Sequence, residues 1–195
     1  MYRVFLAAVD IVPAMVVLIP VFGVLYGTVY GFDLKKSVFY CLFCLYLSAM
    51  FVLVGIPNVI YFRPEINLNL IPFLGMIADL KNCVLNVALF VPLGFFLPVL
   101  WQKFRRGSAC VSFGFFLSLA IELLQMLTFR TTDVNDLITN TFGTFLGFLL
   151  AKSVARKVFW TGENGQDLYL LTALSFGVIF FIHPFLSPLI WDRIL

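Results

Sequence analysis

From Ser37 to Phe62 the chain carries no charged residue, and a run of that length and character decides what it can fold into. A helix of about 20 apolar residues crosses the hydrocarbon core of a bilayer. Six stretches approach that length: about 11 to 31, 38 to 62, 83 to 101, 108 to 129, 134 to 152 and 168 to 190. Backbone groups in lipid have no water to pair with, so spanning segments must pair internally, as helices. Phe, at 24 of 195 residues, favours strands in water, but the solvent overrules that preference. The sequence therefore predicts an all-α fold, a multipass transmembrane bundle of about six helices. Composition agrees, since 62% of the residues are hydrophobic and 12% charged. That is too little charge to clothe a water-soluble surface of this size, and lipid supplies the missing shell.

Lys and Arg in alternate connections set the expected orientation. Lys35, Lys36, Lys103, Arg105, Arg106, Lys152, Arg156 and Lys157 fall on one side, and Arg3, Arg63, Lys81, Arg130 and Arg193 on the other. Eight against five places both termini, the long 63 to 82 connection and the 129 to 133 turn outside the cytoplasm. The first apolar stretch has one Arg before it, is broken by Asp10 and shows no convincing cleavage site, so it is expected to be retained. The basic residues are dispersed among loops, which argues against nucleic acid and leaves membrane lipids as the expected surroundings. Nothing in the sequence fixes an oligomeric state.

Small residues recur every fourth position at Gly23, Gly27 and Gly31 and at Gly143, Gly147 and Ala151. Such spacing allows close helix packing, or alternatively a groove for a lipid tail. Cys41, Cys44, Cys83 and Cys110 lie in apolar runs and lack a second ligand pair or a nearby histidine, so they are expected to be core thiols.

The exception to this apolar character is SLAIELLQMLTFRTTDVNDLITN, Ser118 to Asn140. Glu122 lies seven residues before Phe129, roughly 10 Å below the rim by helix rise, and Asn140 lies the same distance beyond Asp133. Gln125 shares the face of Glu122, while Asp133, Asp136, Asn140, Gly143 and Gly147 form one stripe at helical spacing. A tight turn makes the two helices antiparallel neighbours, so Glu122 and Asn140 are expected to meet at one level. Asn86 on the third span lies at a similar depth. Pro92, Gly94 and Pro98 follow it and permit a kink. A carboxylate near the centre of a span costs about 3 kcal/mol, so Glu122 should face protein or water, with Gln125, Asn86 or Arg130 as partners. A purely structural knot, with Thr132 or Asp133 capping the fifth helix, is the competing reading.

The ordered segments INLNLIPFLGMI, NVALFVPLGFFLPVL and IELLQMLTFRTTDVNDLITNTFGTFLG resemble the VanZ-like membrane protein family. The similarity runs from about Arg63 to Leu150, giving a division into two N-terminal helices (1–62), a VanZ-like domain (63–150) and a cytoplasmic loop with a C-terminal helix (151–195). It implies a bacterial cell-membrane protein, some relatives of which lower susceptibility to teicoplanin and related lipoglycopeptides. It also implies that Pro72, Asn86, Pro92, Gly94, Glu122, Gln125, Arg130, Asp133, Asp136, Asn140 and Gly143 belong to the characteristic set. One departure is Asn135, where the family often has an acidic residue, which weakens a three-carboxylate metal site.

Four function classes compete. In the first, the cluster of Asn86, Glu122, Gln125, Arg130, Asp133, Asp136 and Asn140 receives a lipid-linked cell-wall intermediate or a lipoglycopeptide headgroup at the outer leaflet. In the second, Glu122 or Asp136 is the general base of an intramembrane enzyme acting on a lipid or lipid-linked precursor, with a variant in which Glu122, Asp133 and Asp136 hold a divalent cation. The sequence has no Ser–His pair, no histidine metal motif and no glycine-rich phosphate loop, and its one histidine, His183, precedes Pro184. No cofactor or resident metal is expected. Transport coupled to Glu122 titration is a third class, disfavoured by a single mid-span acid and the lack of repeats. A structural partner subunit is the fourth.

Overall fold

The computed structural model describes residues 12–21, 34–60, 64, 67–128, 131–154 and 165–194. In chain order these form α1 (Val12–Val21), α2 (Leu34–Val54), β1 (Leu68–Asn69), α3 (Leu80–Leu100), a 3₁₀ turn (Gln102–Arg105), α4 (Gly107–Gln125), β2 (Thr132–Asp133), α5 (Val134–Val154) and α6 (Gln166–Gly177). A π-helical turn, Val178–Ile182, carries α6 directly into α7 (His183–Ile194). The all-α reading holds, with one addition: β1 and β2 pair in parallel, Leu68 opposite Thr132 and Asn69 opposite Asp133. The chain gathers into two compact units, Met1–Phe62 with Asp167–Leu195, and Arg63–Gln166.

Among the described residues, four stretches are long and apolar enough to cross a membrane: Ser37–Val54, Leu80–Leu100, Gly107–Gln125 and Asp167–Leu189. The protein is a membrane protein. Helix α5 has the length, at 21 residues, but not the apolarity, because it carries Asn135, Asp136, Asn140 and three threonines. It packs against both α3 and α4, so much of its surface meets protein rather than lipid. Its hydroxyls are satisfied locally: Thr139, Thr141 and Thr144 donate to the carbonyls of Asn135, Leu137 and Asn140 at 2.9, 2.7 and 3.1 Å.

In the first unit α2 and α6 run parallel. The Tyr40 hydroxyl donates to Asp167 (3.3 Å), the Cys44 thiol to the Leu171 carbonyl (3.8 Å) and the Ser175 hydroxyl to the Cys44 carbonyl (3.4 Å). Farther along, the rings of Phe51 and Phe176 meet edge to face at 6.1 Å. Pro184 has no N–H to offer the Phe180 carbonyl, and the Val59 amide takes that acceptor at 3.1 Å.

In the second unit glycine sets the helix spacing. A side chain at Gly143 would strike the Val87 carbonyl, one at Gly147 the Val91 carbonyl, and one at Gly94 the Thr144 carbonyl. The fifth-span stripe is thus filled by α3 backbone, which decides for close packing over a lipid-tail groove at Gly143 and Gly147. Gly23, Gly27 and Gly31 lie outside the described residues. Pro98 leaves the Gly94 carbonyl without its helical donor, and the Cys110 thiol points to it at 3.8 Å. Helix α3 stays continuous through both prolines. All four cysteines are free thiols, three of them buried.

Candidate functional site

Helix α4 ends at Gln125, four residues short of the Phe129 limit expected from apolarity. The Thr128 hydroxyl donates to the Gln125 carbonyl at 2.8 Å and helps to close the turn. Glu122 is therefore three residues from the helix end, about 5 Å by helix rise rather than 10 Å. The chain then folds back over that last turn. The Thr132 hydroxyl donates to the Glu122 carbonyl (3.0 Å), and the Asp133 amide donates to the Glu122 side-chain oxygen Oε2 (3.0 Å). Glu122 is 3% exposed, so a backbone N–H at that distance offsets part of the penalty for burying its carboxylate.

Asp133 does two things with its two oxygens. Oδ1 accepts from the Asn135 amide at 2.8 Å, capping α5. Oδ2 accepts from the Asn69 side-chain amide at 3.1 Å, beside the β1–β2 pairing. The next residue but one carries the connection into the 63 to 82 segment. Asn135 Oδ1 accepts from the Phe73 amide at 2.7 Å, and Asn135 Nδ2 donates to the Leu74 carbonyl at 3.0 Å. Phe73 has φ 64, a left-handed conformation unfavourable for an aromatic residue, and these two bonds hold it there. A carboxylate at 135 could accept the first bond but could not make the second. The departure at Asn135 is thus an exchange of charge for a two-sided clamp.

One turn along, Asn86 Nδ2 on α3 donates to Asp136 Oδ1 on α5 at 2.8 Å, and both residues are half-buried. Deeper still, Asn140 Nδ2 donates to Ser118 Oγ on α4 at 2.9 Å. Both are buried, and Asn140 Oδ1 has no hydrogen-bond partner among the described residues. The expected meeting of Glu122 with Asn140 does not occur. The antiparallel register sets Glu122 against Asp133 and Ser118 against Asn140, because the shorter α4 moves Glu122 up by a turn.

Of the predicted residues, Asn86, Glu122, Asp133, Asp136 and Asn140 thus line the end of one three-helix packing. Gln125 is buried on the last turn of α4. Arg130 lies outside the described residues. Asn82, four residues before Asn86 on α3, bonds Asp79 at 2.7 Å on the exposed start of the helix. Among the described residues no three His, Cys, Asp or Glu side chains come together in a way that could hold a metal ion. Sequence reasoning missed Asn69, Ser118 and the clamp by Asn135. The available signal was that uncharged polar residues are uncommon in so apolar a chain and, where buried, need partners.

The sequence pattern of the VanZ/LLP1 family matches residues 37–158. That span includes α2 as well as the Arg63 to Leu150 region. Protein VanZ of Enterococcus faecium is similar, 37% identical over 87 residues, an overlap that takes 43% of this chain and 52% of that protein. The chain thus spans about half the length of that curated relative. No solved structure matches the chain.

Proposed function

The chain belongs to the VanZ/LLP1 family, and on that premise we propose that it acts in the bacterial cell membrane by binding a polar headgroup at the outer leaflet, lowering susceptibility to teicoplanin and related lipoglycopeptides. The headgroup is that of a lipid-linked cell-wall intermediate or of the lipoglycopeptide itself. Both present amide and hydroxyl groups, which carboxylate and amide side chains recognise through directed hydrogen bonds.

The observation that carries this reading is the graded burial of the cluster. Glu122, Asn135 and Asn140 are buried, while Asn86, Asp133 and Asp136 remain half-accessible and form the rim. The buried residues tie α4, β2, α5 and the 63 to 82 connection together by hydrogen bonds, and the rim side chains are carried on that frame. Such preorganisation favours binding. Binding is favoured over general-base catalysis because a Glu122 oxygen already accepts the Asp133 amide. The positive-inside count, which sets this end outward, supports action on the outer leaflet.

The test is Asp136→Asn in a host that shows the resistance phenotype, with the membrane level of the protein measured alongside. Normal level with lost protection supports the reading. Normal level with full protection rejects the rim as the site. Mass spectrometry of envelope lipids and wall precursors, with and without the protein, distinguishes binding from catalysis: binding leaves the set of species unchanged.

A further inference from the structure

The connection from β1 to α3 reads LNLIPFLGMIAD, Leu68 to Asp79, with no charge before Asp79. Its apolar side chains point away from the protein. Leu70, Ile71, Phe73, Leu74 and Ile77 are 67, 60, 69, 57 and 94% exposed. In water, so dense an apolar surface would drive association.

Five backbone amides of the same segment are paired within the protein. The amides of Leu74, Met76 and Asp79 donate to the carbonyls of Ile71, Phe73 and Gly75. Those of Ile71 and Phe73 donate to the side chains of Asn69 and Asn135, and Pro72 has none to satisfy. The Leu74 carbonyl accepts from Asn135 and the Met76 carbonyl from the Cys83 thiol. Apolar side chains outward with amides paired inward is the arrangement that a lipid environment selects.

The patch is also followed in sequence by apolar residues that a bilayer would cover. Leu80, Val84 and Leu85 are each more than half exposed on a helix long and apolar enough to span the bilayer. Asp79, Lys81 and Asn82 are exposed at the junction, where headgroups accept charge and a lysine stem can snorkel.

We propose that Leu70–Leu80 is a membrane-interfacial anchor, with Phe73, Leu74 and Ile77 inserted at the boundary of headgroups and acyl chains in the leaflet where α3 begins. Its partner is the lipid surface itself. Asn135 is the positioning residue that ties this anchor to the start of α5. The inference needs only that α3 spans the bilayer and is independent of the headgroup reading.

The test uses the full chain, one copy per nanodisc, in a cysteine-free background. Single cysteines at Phe73, Ile77, Phe116 and Gln102 carry an environment-sensitive fluorophore. Quenching is read with shallow and deep doxyl lipids and with aqueous iodide. Phe116, 64% exposed in the middle of α4, reports correct insertion, and Gln102, exposed in the 3₁₀ turn, reports water. Labels at 73 and 77 are expected to be quenched at least about threefold more by shallow doxyl lipid than by iodide, and less by deep doxyl lipid, as interfacial seating of 5–10 Å requires. Iodide quenching at the Gln102 level overturns the proposal. Shielding from both quenchers also overturns it, since that is what a covering protein surface would give. Ile77, 94% exposed, makes few contacts to lose, so its cysteine variant tests the proposal even where the Phe73 variant is unstable.

Discussion

Asn135 and Phe73, 62 residues apart in sequence, are joined at 2.7 Å through the Asn135 side-chain oxygen, and the same amide reaches the Leu74 carbonyl at 3.0 Å. One buried side chain thus fixes the path of the connector and holds Phe73 at positive φ. Asn135→Ala removes both part-buried bonds, to the Phe73 amide and the Leu74 carbonyl, at a combined cost of about 1–3 kcal/mol. Asn135→Asp keeps the acceptor and loses the donor, so its effect should be smaller. Thermal unfolding in one detergent is expected to fall by about 2–4 °C per kcal/mol lost, with Ala below Asp and Asp below the parent. Equal midpoints for all three would remove the clamp from the account.

Glu122 separates charge from hydrogen bonding. Its Oε2 accepts the Asp133 amide at 3.0 Å, and Gln can make the same bond without charge. Glu122→Gln should therefore reach the membrane at the parental level, whereas Glu122→Leu strands the Asp133 amide and loses about 1–3 kcal/mol. Protein level and teicoplanin susceptibility, measured on the same cells, divide the roles. A Gln variant with normal level and normal protection would confine Glu122 to holding the turn.

The glycines divide by what surrounds them. A side chain at Gly143 or Gly147 meets an α3 carbonyl, while Gly177 has open space around it and an ordinary helical φ of -60. Gly143→Ala and Gly147→Ala are expected to destabilise by about 1–3 kcal/mol or more, as overpacking does. Gly177→Ala should be neutral or stabilising by about 0.4–1 kcal/mol through the unfolded chain. Unfolding midpoints of purified variants decide, and an undisturbed Gly143→Ala would mean that α3 and α5 are not in backbone contact.

How far the sequence revealed this arrangement depends on which interactions decide each feature. The presence of α2, α3, α4 and α6 followed from apolar length, because lipid imposes that length whatever the partners are. The polar stripe of α5 followed from spacing, because a helix has fixed periodicity. The end of α4 did not, since MLTF is apolar and reads as more helix. It is decided by Thr132 and Asp133 returning to Glu122, ten and eleven residues apart, and no local pattern reports such a return. Asn135 was misjudged for the same reason. Read alone it is a missing acid, and its role exists only through a backbone 62 residues away.

The relative directions of the helices give a last prediction that needs no knowledge of ligand. β1 pairs with β2 in parallel, and α4 runs antiparallel beside α5, with Gly107 beside Phe148 and Glu122 beside Asp133. Asn67 and Thr131 must then lie on one side of the membrane and Gln102 on the other, whichever way the protein is inserted. All three are exposed, so cysteines there should label in a cysteine-free background. An impermeant reagent applied to intact cells is expected to block positions 67 and 131 and spare 102, the sense given by eight basic residues against five. Block at 102 alone would invert the orientation and remove the outer-leaflet site while leaving the helix arrangement intact. Block at 67 but not 131 would contradict the β1–β2 pairing, and with it the hydrogen bonds from Asn69 to Asp133 and from Phe73 to Asn135 that organise the site.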